Sequence, residues 1–187
     1  KNILHYIDPS YPLFIPVIIK LRSRAMYRIL SLTLFTIFFV VQISYAKVPL
    51  AGDLAPDFSL TSVTGEKVTL SDFKGKVVLL GMFHICVPCM KQALEFNKVR
   101  NQLSSGKLAI LGINTNGDSK EAVMAYLKGF PEKVKFSYLL DPTQSFHKNY
   151  IQRDMPTVLI IDSEGIIRAR VPWVGAEQLV KFLKNFL

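Results

Sequence analysis

The sequence predicts an α/β domain, in which a sheet with parallel neighbours carries helices on both faces. Two continuous apolar runs, Val77–Phe83 and 108–115, have the length and branching of buried strands. Each is followed by a segment with helical spacing of apolar residues, at 87–103 and around 121–127. Strands that alternate with helices in this way are typical of sheets with parallel strands and helices packed on them.

The N-terminal residues predict a leader rather than part of this domain. The first methionine is Met26, so we expect translation to start there and residues 1–25 to be upstream sequence. An apolar run at 29–43 follows a basic residue, and a small-x-small cleavage pattern ends at Ala46. Residues 26–46 therefore predict a secretory signal peptide. An uncleaved N-terminal membrane anchor is the alternative, for which the run is short against the ~20 residues of a span.

Charge is distributed differently in the leader and in the rest of the chain. The formal net charge is +9, from 23 basic and 14 acidic residues. Residues 1–46 hold five of the basic residues and one of the acidic ones, which leaves 47–187 with 18 basic and 13 acidic residues and a charge of +5. These basic residues are scattered as on a solvated surface, so we expect no nucleic-acid partner.

About 140 residues suffice for one domain with one core, which is predicted at 47–187.

The predicted domain opens with a β-hairpin. Short strand patterns at 58–60 and 66–70 lie on either side of a turn at Thr64-Gly65. A short turn at 71–75 then leads into the strand Val77–Phe83.

The only two cysteines of the chain, Cys86 and Cys89, follow this strand and open the next helix. Residues three apart on a helix lie about 5 to 6 Å apart at Cβ, close to the reach of a disulfide. Unpaired N–H groups and the positive end of the helix dipole favour a thiolate at Cys86, which is the reactive form. We expect the first helical turn to shield Cys89.

Three uses of such a pair are open in an exported domain: a structural disulfide, half of a metal site, or a redox pair. A bridge that closes so small a loop constrains the unfolded chain little, which disfavours the structural use. A zinc site needs four ligands, and 47–187 offers only Cys86, Cys89, His84 and the distant His147. The pattern therefore favours a redox pair.

The rest of the chain continues the alternation of strands and helices. A third strand is predicted at 136–140, followed by a short helix at 141–150. Strands at 157–162 and 166–171 flank a turn, and we expect them to form an antiparallel hairpin at the sheet edge. A terminal helix is predicted at 176–186. Its inner side is formed by Leu179, Val180, Phe182 and Leu183.

Together these motifs resemble the thioredoxin superfamily, specifically its TlpA/ResA-like membrane-side thiol-disulfide oxidoreductases and the wider redoxin group. The resemblance lies in 55–60, 70–80, the CxxC pair, and the Met-Pro-Thr-strand motif of 155–162 with Gly165 after it. It covers about residues 50 to 187. The resemblance implies a thioredoxin fold, with a central mixed sheet flanked by helices, an N-terminal β-hairpin and an inserted β-α unit.

Pro156 is the second position to which the resemblance gives a function. In that family this proline is cis and faces the cysteine pair, and the backbone of the preceding residue pairs with the substrate chain. The resemblance therefore implies that Met155 and Pro156 form a substrate-docking edge. A trans proline that ends a loop is the alternative, although a proline at the start of a central strand argues against ladder pairing there.

The resemblance also implies the chemistry. Cys86 attacks a disulfide of a partner protein, and Cys89 then attacks Cys86 and releases the reduced partner. No metal or organic cofactor is required beyond the redox-active disulfide. The implied partners are oxidised exported proteins, among them apocytochrome c, and a membrane electron donor of the CcdA or DsbD type. The implied location is periplasmic or extracytoplasmic, with a membrane tether if the leader is retained. Pro88 stands at the position of a proline in the thioredoxin CxxC motif, which favours a reductant. The direction of the redox reaction, the redox potential of the pair and the oligomeric state are not predicted.

The sequence departs from the family pattern around the cysteines. Ile85 stands where the family commonly has tryptophan, and Leu80 and Gln92 stand where acidic residues assist the chemistry in thioredoxin and in ResA-type proteins. Acid–base assistance to Cys89 is then either missing or comes from water, from His84 or from Glu95. We expect Glu95 to be an exposed helix residue, because charged helix residues usually lie on a solvated face.

His84 supports one alternative function. Protonated, it would favour the Cys86 thiolate, and with the two sulfurs it offers a soft-metal site of the kind that binds Cu(I). A Sco-like copper-delivery protein is therefore one alternative. That family has two cysteines at CxxxC spacing and a distal histidine, however, whereas the spacing here is CxxC. The alternative interpretation is that His84 has no role in the chemistry and is a partly buried residue at the end of a strand.

A peroxiredoxin is the weaker alternative. It shares 55–58 and 70–80, but its peroxide pocket needs proline and threonine where Leu79 and Phe83 stand.

Overall fold

A seven-stranded mixed sheet organises the part of the chain that the computed structural model describes, residues 47–104 and 106–187. The predicted upstream segment 1–25 and the predicted leader 26–46 lie outside these residues. The strands are β1 (Ser59–Ser62), β2 (Lys67–Thr69), β3 (Val77–Phe83), β4 (Leu108–Asn114), β5 (Ser137–Leu140), β6 (Thr157–Ile161) and β7 (Ile167–Val171). Their order across the sheet is β2-β1-β5-β4-β3-β6-β7.

The two central strands are buried along their whole length. Every residue of β3 and of β4 is buried, as continuous apolar runs require when both faces of a strand are covered. β3 runs parallel to β4 and β4 runs parallel to β5, whereas the β1–β2, β1–β5, β3–β6 and β6–β7 pairs are antiparallel. This topology confirms the predicted α/β class, the mixed sheet and both hairpins.

Four α-helices connect or follow these strands in the described part of the chain. They are α1 (Val87–Gln102), α2 (Lys120–Lys128), α3 (Ser145–Tyr150) and α4 (Ala176–Leu183). A 3-10 helix, Leu70–Phe73, connects β2 to β3. None of the described helices has the length and apolar character needed to cross a bilayer.

Two predicted helix limits are wrong. The helix predicted from 141 begins only at Ser145, because Gln144 has a left-handed backbone, φ 55°, that no helix can contain. The terminal helix ends at Leu183 rather than at 186, since the amides of Asn185 and Phe186 donate to carbonyls three residues back and tighten the last turn.

The sheet separates two hydrophobic cores. On one face α1, α2 and α4 pack against alternate residues of the central strands, with Phe96, Val123 and Leu179 fully or almost fully buried. On the other face α3 and the 3-10 helix pack against the intervening residues, with Phe146 and Tyr150 of α3 buried. Helices on both faces were predicted, and the structure confirms them.

The segment before β1 lies against the β7 edge. The amide of Gly52 donates to the carbonyl of Ile167 over 2.8 Å, and the amide of Ile167 donates to the carbonyl of Asp53 over 3.0 Å. The guanidinium of Arg170 donates to the carbonyl of Pro49 over 3.2 Å. These contacts satisfy polar groups that an open sheet edge would leave unpaired.

Candidate active site at the end of the central strand

The cysteine pair lies where β3 ends and α1 begins. Cys86 is the N-cap residue of α1, with an extended backbone at φ −154° and ψ 155°. Pro88 occupies the first helical turn, where its missing N–H has no intrahelical partner to lose. Cys86 and Cys89 are disulfide-bonded, and their Cα atoms are 5.3 Å apart. In open α/β sheets, sites form beyond the carboxyl ends of parallel strands, and this pair follows the carboxyl end of β3.

The two sulfurs differ in exposure and in hydrogen bonding. Cys86 is half-buried, whereas Cys89 is 1% exposed. The Cys89 amide donates to Cys86 Sγ over 3.2 Å, and the His84 amide donates to Cys89 Sγ over 3.3 Å. After reduction, the amide that points at Cys86 Sγ would stabilise a negative charge there, together with the helix dipole.

Tyr126 is a site residue that the sequence did not indicate. Its hydroxyl donates to the backbone carbonyl of Cys86 over 2.6 Å, and the Met90 amide donates to the same oxygen over 3.0 Å. Burial raises the pKa of Tyr126, so its hydroxyl keeps its proton and remains a donor. The ring packs edge-on against Phe130, with centroids 4.8 Å apart. Tyr126 belongs to α2, and its contact with Cys86 depends on the fold alone.

His84 is half-buried, and its Nε2 atom is buried without a hydrogen-bond partner. Burial lowers the pKa of His84; the carboxylate of Asp118 opposes this effect and the ring of His147 adds to it. An imidazole with a lowered pKa is largely neutral at pH 7, so its charge would help the Cys86 thiolate only in more acidic solution.

The arrangement of metal-ligating side chains bears on the copper-binding alternative. Within residues 47–104 and 106–187, no group of three or more histidine, cysteine, aspartate or glutamate side chains is arranged to hold a metal ion.

Met155 and Pro156 lie at the same end of the sheet as the cysteines. Thr157, the first residue of β6, pairs with Met82 near the end of β3, because the two strands are antiparallel. The Met155–Pro156 peptide bond is cis, as the resemblance implied. Pro156 is buried, and Met155 is half-buried and packs against the same core cluster as Cys86.

Gln92, one turn beyond Cys89, is fully buried. Its Nε2 donates to the carbonyl of Val174 over 2.9 Å, and the Val174 amide donates to its Oε1 over 2.8 Å. This two-point contact holds the loop before α4 against α1. Leu80, at the position of thioredoxin's buried acid, is fully buried in the apolar core.

The expectation that Glu95 is exposed is wrong. Its side chain is only 16% exposed, and its Oε2 accepts from the Ala176 amide at the start of α4 over 2.8 Å. Its Oε1 accepts from Lys98 over 2.6 Å. Burial raises the pKa of Glu95, but the hydrogen bonds from Lys98 and Ala176 outweigh it and leave the pKa below its usual value. With both oxygens engaged, Glu95 is not free to exchange a proton with Cys89.

Three large apolar side chains are exposed next to Cys86 or in the loop that Gln92 binds. Ile85 and Val87, on either side of Cys86, are 41% and 60% exposed. Trp173 is 52% exposed and directly precedes Val174, the residue that Gln92 holds. Exposed apolar side chains beside a reactive group are available for contact with another molecule.

Sequence and structural similarity both point to one group of proteins. Residues 51–170 match the model of the AhpC/TSA family. The chain is 31% identical over 140 residues to the thiol-disulfide oxidoreductase ResA of Bacillus subtilis (strain 168), which covers 73% of this chain and 75% of that protein. It is also 31% identical over 118 residues to the thioredoxin-like protein YneN of the same strain, which covers 63% and 68%. A solved thiol-disulfide oxidoreductase from Bacteroides fragilis NCTC 9343 has a TM-score of 0.62 and 27% identity, over 72% of this chain and 100% of the other.

Proposed function

We infer the function from one premise: the chain belongs to the AhpC/TSA family, and it is a TlpA/ResA-like, thioredoxin-like thiol-disulfide oxidoreductase. We propose that it reduces disulfides of exported proteins, with Cys86 as the attacking thiolate and Cys89 as the resolving thiol. The observation that carries these two roles is the unequal exposure of the sulfurs. A substrate disulfide can approach the half-buried Cys86, whereas Cys89 is 1% exposed and is bonded to Cys86.

The proposed cycle begins with both cysteines reduced. The Cys86 thiolate attacks one sulfur of the substrate disulfide, a mixed disulfide forms, and the other substrate sulfur leaves as a thiolate and takes a proton from water. Cys89 loses its proton, attacks Cys86 Sγ, and releases the second substrate sulfur. The substrate gains two electrons and two protons, and the enzyme ends with the Cys86–Cys89 disulfide. No metal or organic cofactor takes part in this cycle.

Two surfaces beside the pair support a protein as substrate. We propose that the segment 152–156, which we call the docking loop, pairs its Met155 backbone with an extended substrate chain. Pro156 has no N–H of its own, which leaves this position outside the β-ladder. The exposed side chains of Ile85, Val87 and Trp173 offer apolar contacts to residues next to the substrate disulfide.

The proposed substrates are oxidised exported proteins, including the haem-binding cysteine pair of apocytochrome c. This proposal is supported by the predicted leader at 26–46 and by the TlpA/ResA-like character of the domain. A reductant must then restore the dithiol from outside the chain, and we propose a membrane electron donor of the CcdA or DsbD type. The proposed location is the outer side of the cytoplasmic membrane. Pro88 supports reduction as the direction, because it stands where thioredoxin also has a proline.

Single-cysteine variants test the assignment of the two roles. Reduction of insulin disulfides by the full chain, driven by dithiothreitol, should be lost in Cys86→Ser. Cys89→Ser should instead accumulate a mixed disulfide through Cys86, visible on a non-reducing gel. Insulin reduction that survives in Cys86→Ser would overturn the nucleophile assignment. Peroxide consumption by the wild type should stay at background, since Leu79 and Phe83 replace the peroxide-pocket residues.

Substrate and direction are tested separately. An oxidised apocytochrome c peptide should be reduced faster than an unrelated cystine peptide of equal charge. Equilibration of the Cys86–Cys89 pair with glutathione should give a potential near thioredoxin's, about −270 mV, whereas a value near about −120 mV would indicate an oxidant.

A further inference from the structure

We infer that Gln152 is the positioning residue that fixes the docking loop to the end of the strand leading to Cys86. Gln152 follows α3 and its C-cap residue Ile151, four residues before Pro156. The inference rests on the proposed function in one respect, namely that the docking loop is the edge that binds the substrate chain. The contacts that hold the loop are features of the structure itself.

Four contacts converge on the Gln152 side chain. Its Nε2 donates to the carbonyl of Met82 over 3.1 Å and to the carbonyl of Asp154 over 3.0 Å. The same nitrogen lies 3.5 Å from Met155 Sδ. Its Oε1 accepts from the hydroxyl of Thr115 over 2.5 Å. The two N–H groups of the amide thus face two carbonyls, and its oxygen faces a hydroxyl, so every polar group of the side chain is matched.

These contacts join three elements that meet at the site. Met82 lies in β3, four residues before Cys86. Thr115, fully buried, follows β4, and its amide donates to the carbonyl of Phe83 over 3.0 Å. Asp154 belongs to the docking loop. Gln152 therefore connects the ends of both central strands to the loop that carries Met155 and Pro156.

The loop is also closed on itself around the Asp154 carbonyl. That oxygen accepts from Gln152 Nε2 and from the hydroxyl of Thr157, the latter over 2.7 Å. Thr157 in turn pairs with Met82 across β3 and β6. Gln152 thus contacts both the loop, at the Asp154 carbonyl, and β3, at the Met82 carbonyl. A docking edge that is misplaced by even 1 Å can cost a large factor in rate, because substrate and nucleophile no longer align.

Gln152→Glu is the sharpest test, because it keeps the size of the side chain and its contact with the Thr115 hydroxyl. It replaces the two N–H donors by an anionic oxygen that faces the carbonyls of Met82 and Asp154, which repel it. Gln144→Glu is the matched control. Gln144 lies at the other end of α3, and its amide donates to a single carbonyl, that of Asn116, over 3.0 Å.

Two reactions of the reduced full-length enzyme separate loop placement from cysteine reactivity. In Gln152→Glu, kcat/KM for insulin disulfides should fall about tenfold or more, mainly through KM, because docking is impaired. The reaction with 4,4′-dithiodipyridine, a small disulfide that needs no docking edge, should change by less than about twofold. Gln144→Glu should leave both rates unchanged. An equal loss in both reactions, or no loss with insulin, would overturn the inference.

Hydrogen exchange gives a readout that requires no substrate. Amides of the docking loop should exchange about tenfold faster or more in Gln152→Glu, while those in the middle of α1 should not change. Unchanged loop amides would refute the positioning role. Failure of the proposed function has a different signature: the wild type itself would leave insulin oxidised, while faster loop exchange in Gln152→Glu would still support the role of Gln152.

Discussion

Cys86 accepts more hydrogen bonds than its position at the start of a helix alone would provide. Its carbonyl accepts from the Met90 amide and from the Tyr126 hydroxyl, and its sulfur accepts from the Cys89 amide. The first and third of these bonds are what any N-cap residue offers. The bond from Tyr126 is specific to this fold, and it fixes the carbonyl whose orientation determines where the sulfur meets the Cys89 amide.

Tyr126→Phe tests this contact at the level of a single residue. Loss of the hydroxyl leaves the Met90 amide as the remaining donor to the Cys86 carbonyl, weakens the alignment of the Cys89 amide with the sulfur, and so destabilises the thiolate that Cys86 forms after reduction. Alkylation of Cys86 by iodoacetamide at pH 6.5 should slow by about two- to fivefold, since about 1 kcal/mol corresponds to somewhat less than one pKa unit. The measurement is the pH profile of the alkylation rate.

Tyr150→Phe is the matched control for Tyr126→Phe. Its hydroxyl also donates to a backbone carbonyl, that of Pro56, over 2.5 Å, on the opposite face of the sheet. Both variants should lose about 1 kcal/mol of unfolding free energy in urea, the net value of one hydrogen bond. Only Tyr126→Phe should shift the alkylation profile. An identical profile in wild type and Tyr126→Phe would show that the hydroxyl has no influence on Cys86.

At the scale of elements, α1 is connected to the start of α4 by two polar side chains. Gln92 binds the backbone of Val174, and Glu95 accepts from the amide of Ala176. Ala176 is the first residue of α4, and its N-cap, Gly175, has no side chain to cap the helix. Glu95 therefore supplies, from another helix, an acceptor for one of the first amides of α4, which have no intrahelical partner. This contact helps to hold the loop before α4, which includes Trp173, against α1.

Glu95→Gln should lower the unfolding free energy by about 1–2 kcal/mol at pH 7, because it weakens two charge-assisted hydrogen bonds. The pKa of Glu95 is lowered in the folded state, so the stability from its ionisation is present above its ordinary pKa of 4.5 and is lost as the pH falls through the lower folded pKa. The difference between wild type and variant should therefore shrink below about pH 4.5. Urea unfolding at several pH values measures it.

Glu132→Gln controls for the ion pair alone. Glu95 and Glu132 each have a lysine three residues later, Lys98 and Lys135, but Glu132 is 44% exposed and its pair spans 3.7 Å. Its replacement should cost less than about 0.5 kcal/mol. Equal losses in the two variants would contradict the capping role of Glu95.

At the scale of the whole molecule, the ring of Phe83 packs over two glycines of the central strands. A Cβ at Gly81 would lie 2.1 Å from Phe83 Cζ, and one at Gly112 would lie 3.1 Å from Phe83 Cε2 and 2.9 Å from the ring of Phe136. Glycine in a buried strand marks such close approaches. The ring also packs against Phe96 of α1 and Tyr138 of β5, so it connects the sheet to the helix that carries the cysteines.

Gly81→Ala should destabilise the protein by about 2–3 kcal/mol, because the methyl group overpacks the buried ring. Adding Phe83→Leu should restore part of that loss, since the smaller side chain vacates the space, and the double-mutant cycle measures the coupling. Gly106→Ala is the control, because its added Cβ would meet no atom within 4 Å. Additive effects of Gly81→Ala and Phe83→Leu would contradict the proposed packing.

The sequence by itself determined the α/β class, the central strands, both hairpins, and the location of the cysteine pair at a strand-to-helix junction. Those features depend on apolar periodicity and on residue spacing along the chain, which are local properties that the sequence shows directly. The family resemblance further indicated the cis bond before Pro156, which the structure contains.

Only the tertiary structure decided which distant side chains reach the site. The hydroxyl of Tyr126 reaches Cys86 across 40 positions, and the amide of Gln92 reaches Val174 across 82. The Gln152 amide reaches Met82 across 70 positions. Helical amphipathicity predicted Glu95 to be exposed, whereas the packing of α4 against α1 covers it. A polar residue looks the same in a sequence whether it faces water or a backbone group of another element, and strand order, which brings remote segments together, leaves no local pattern.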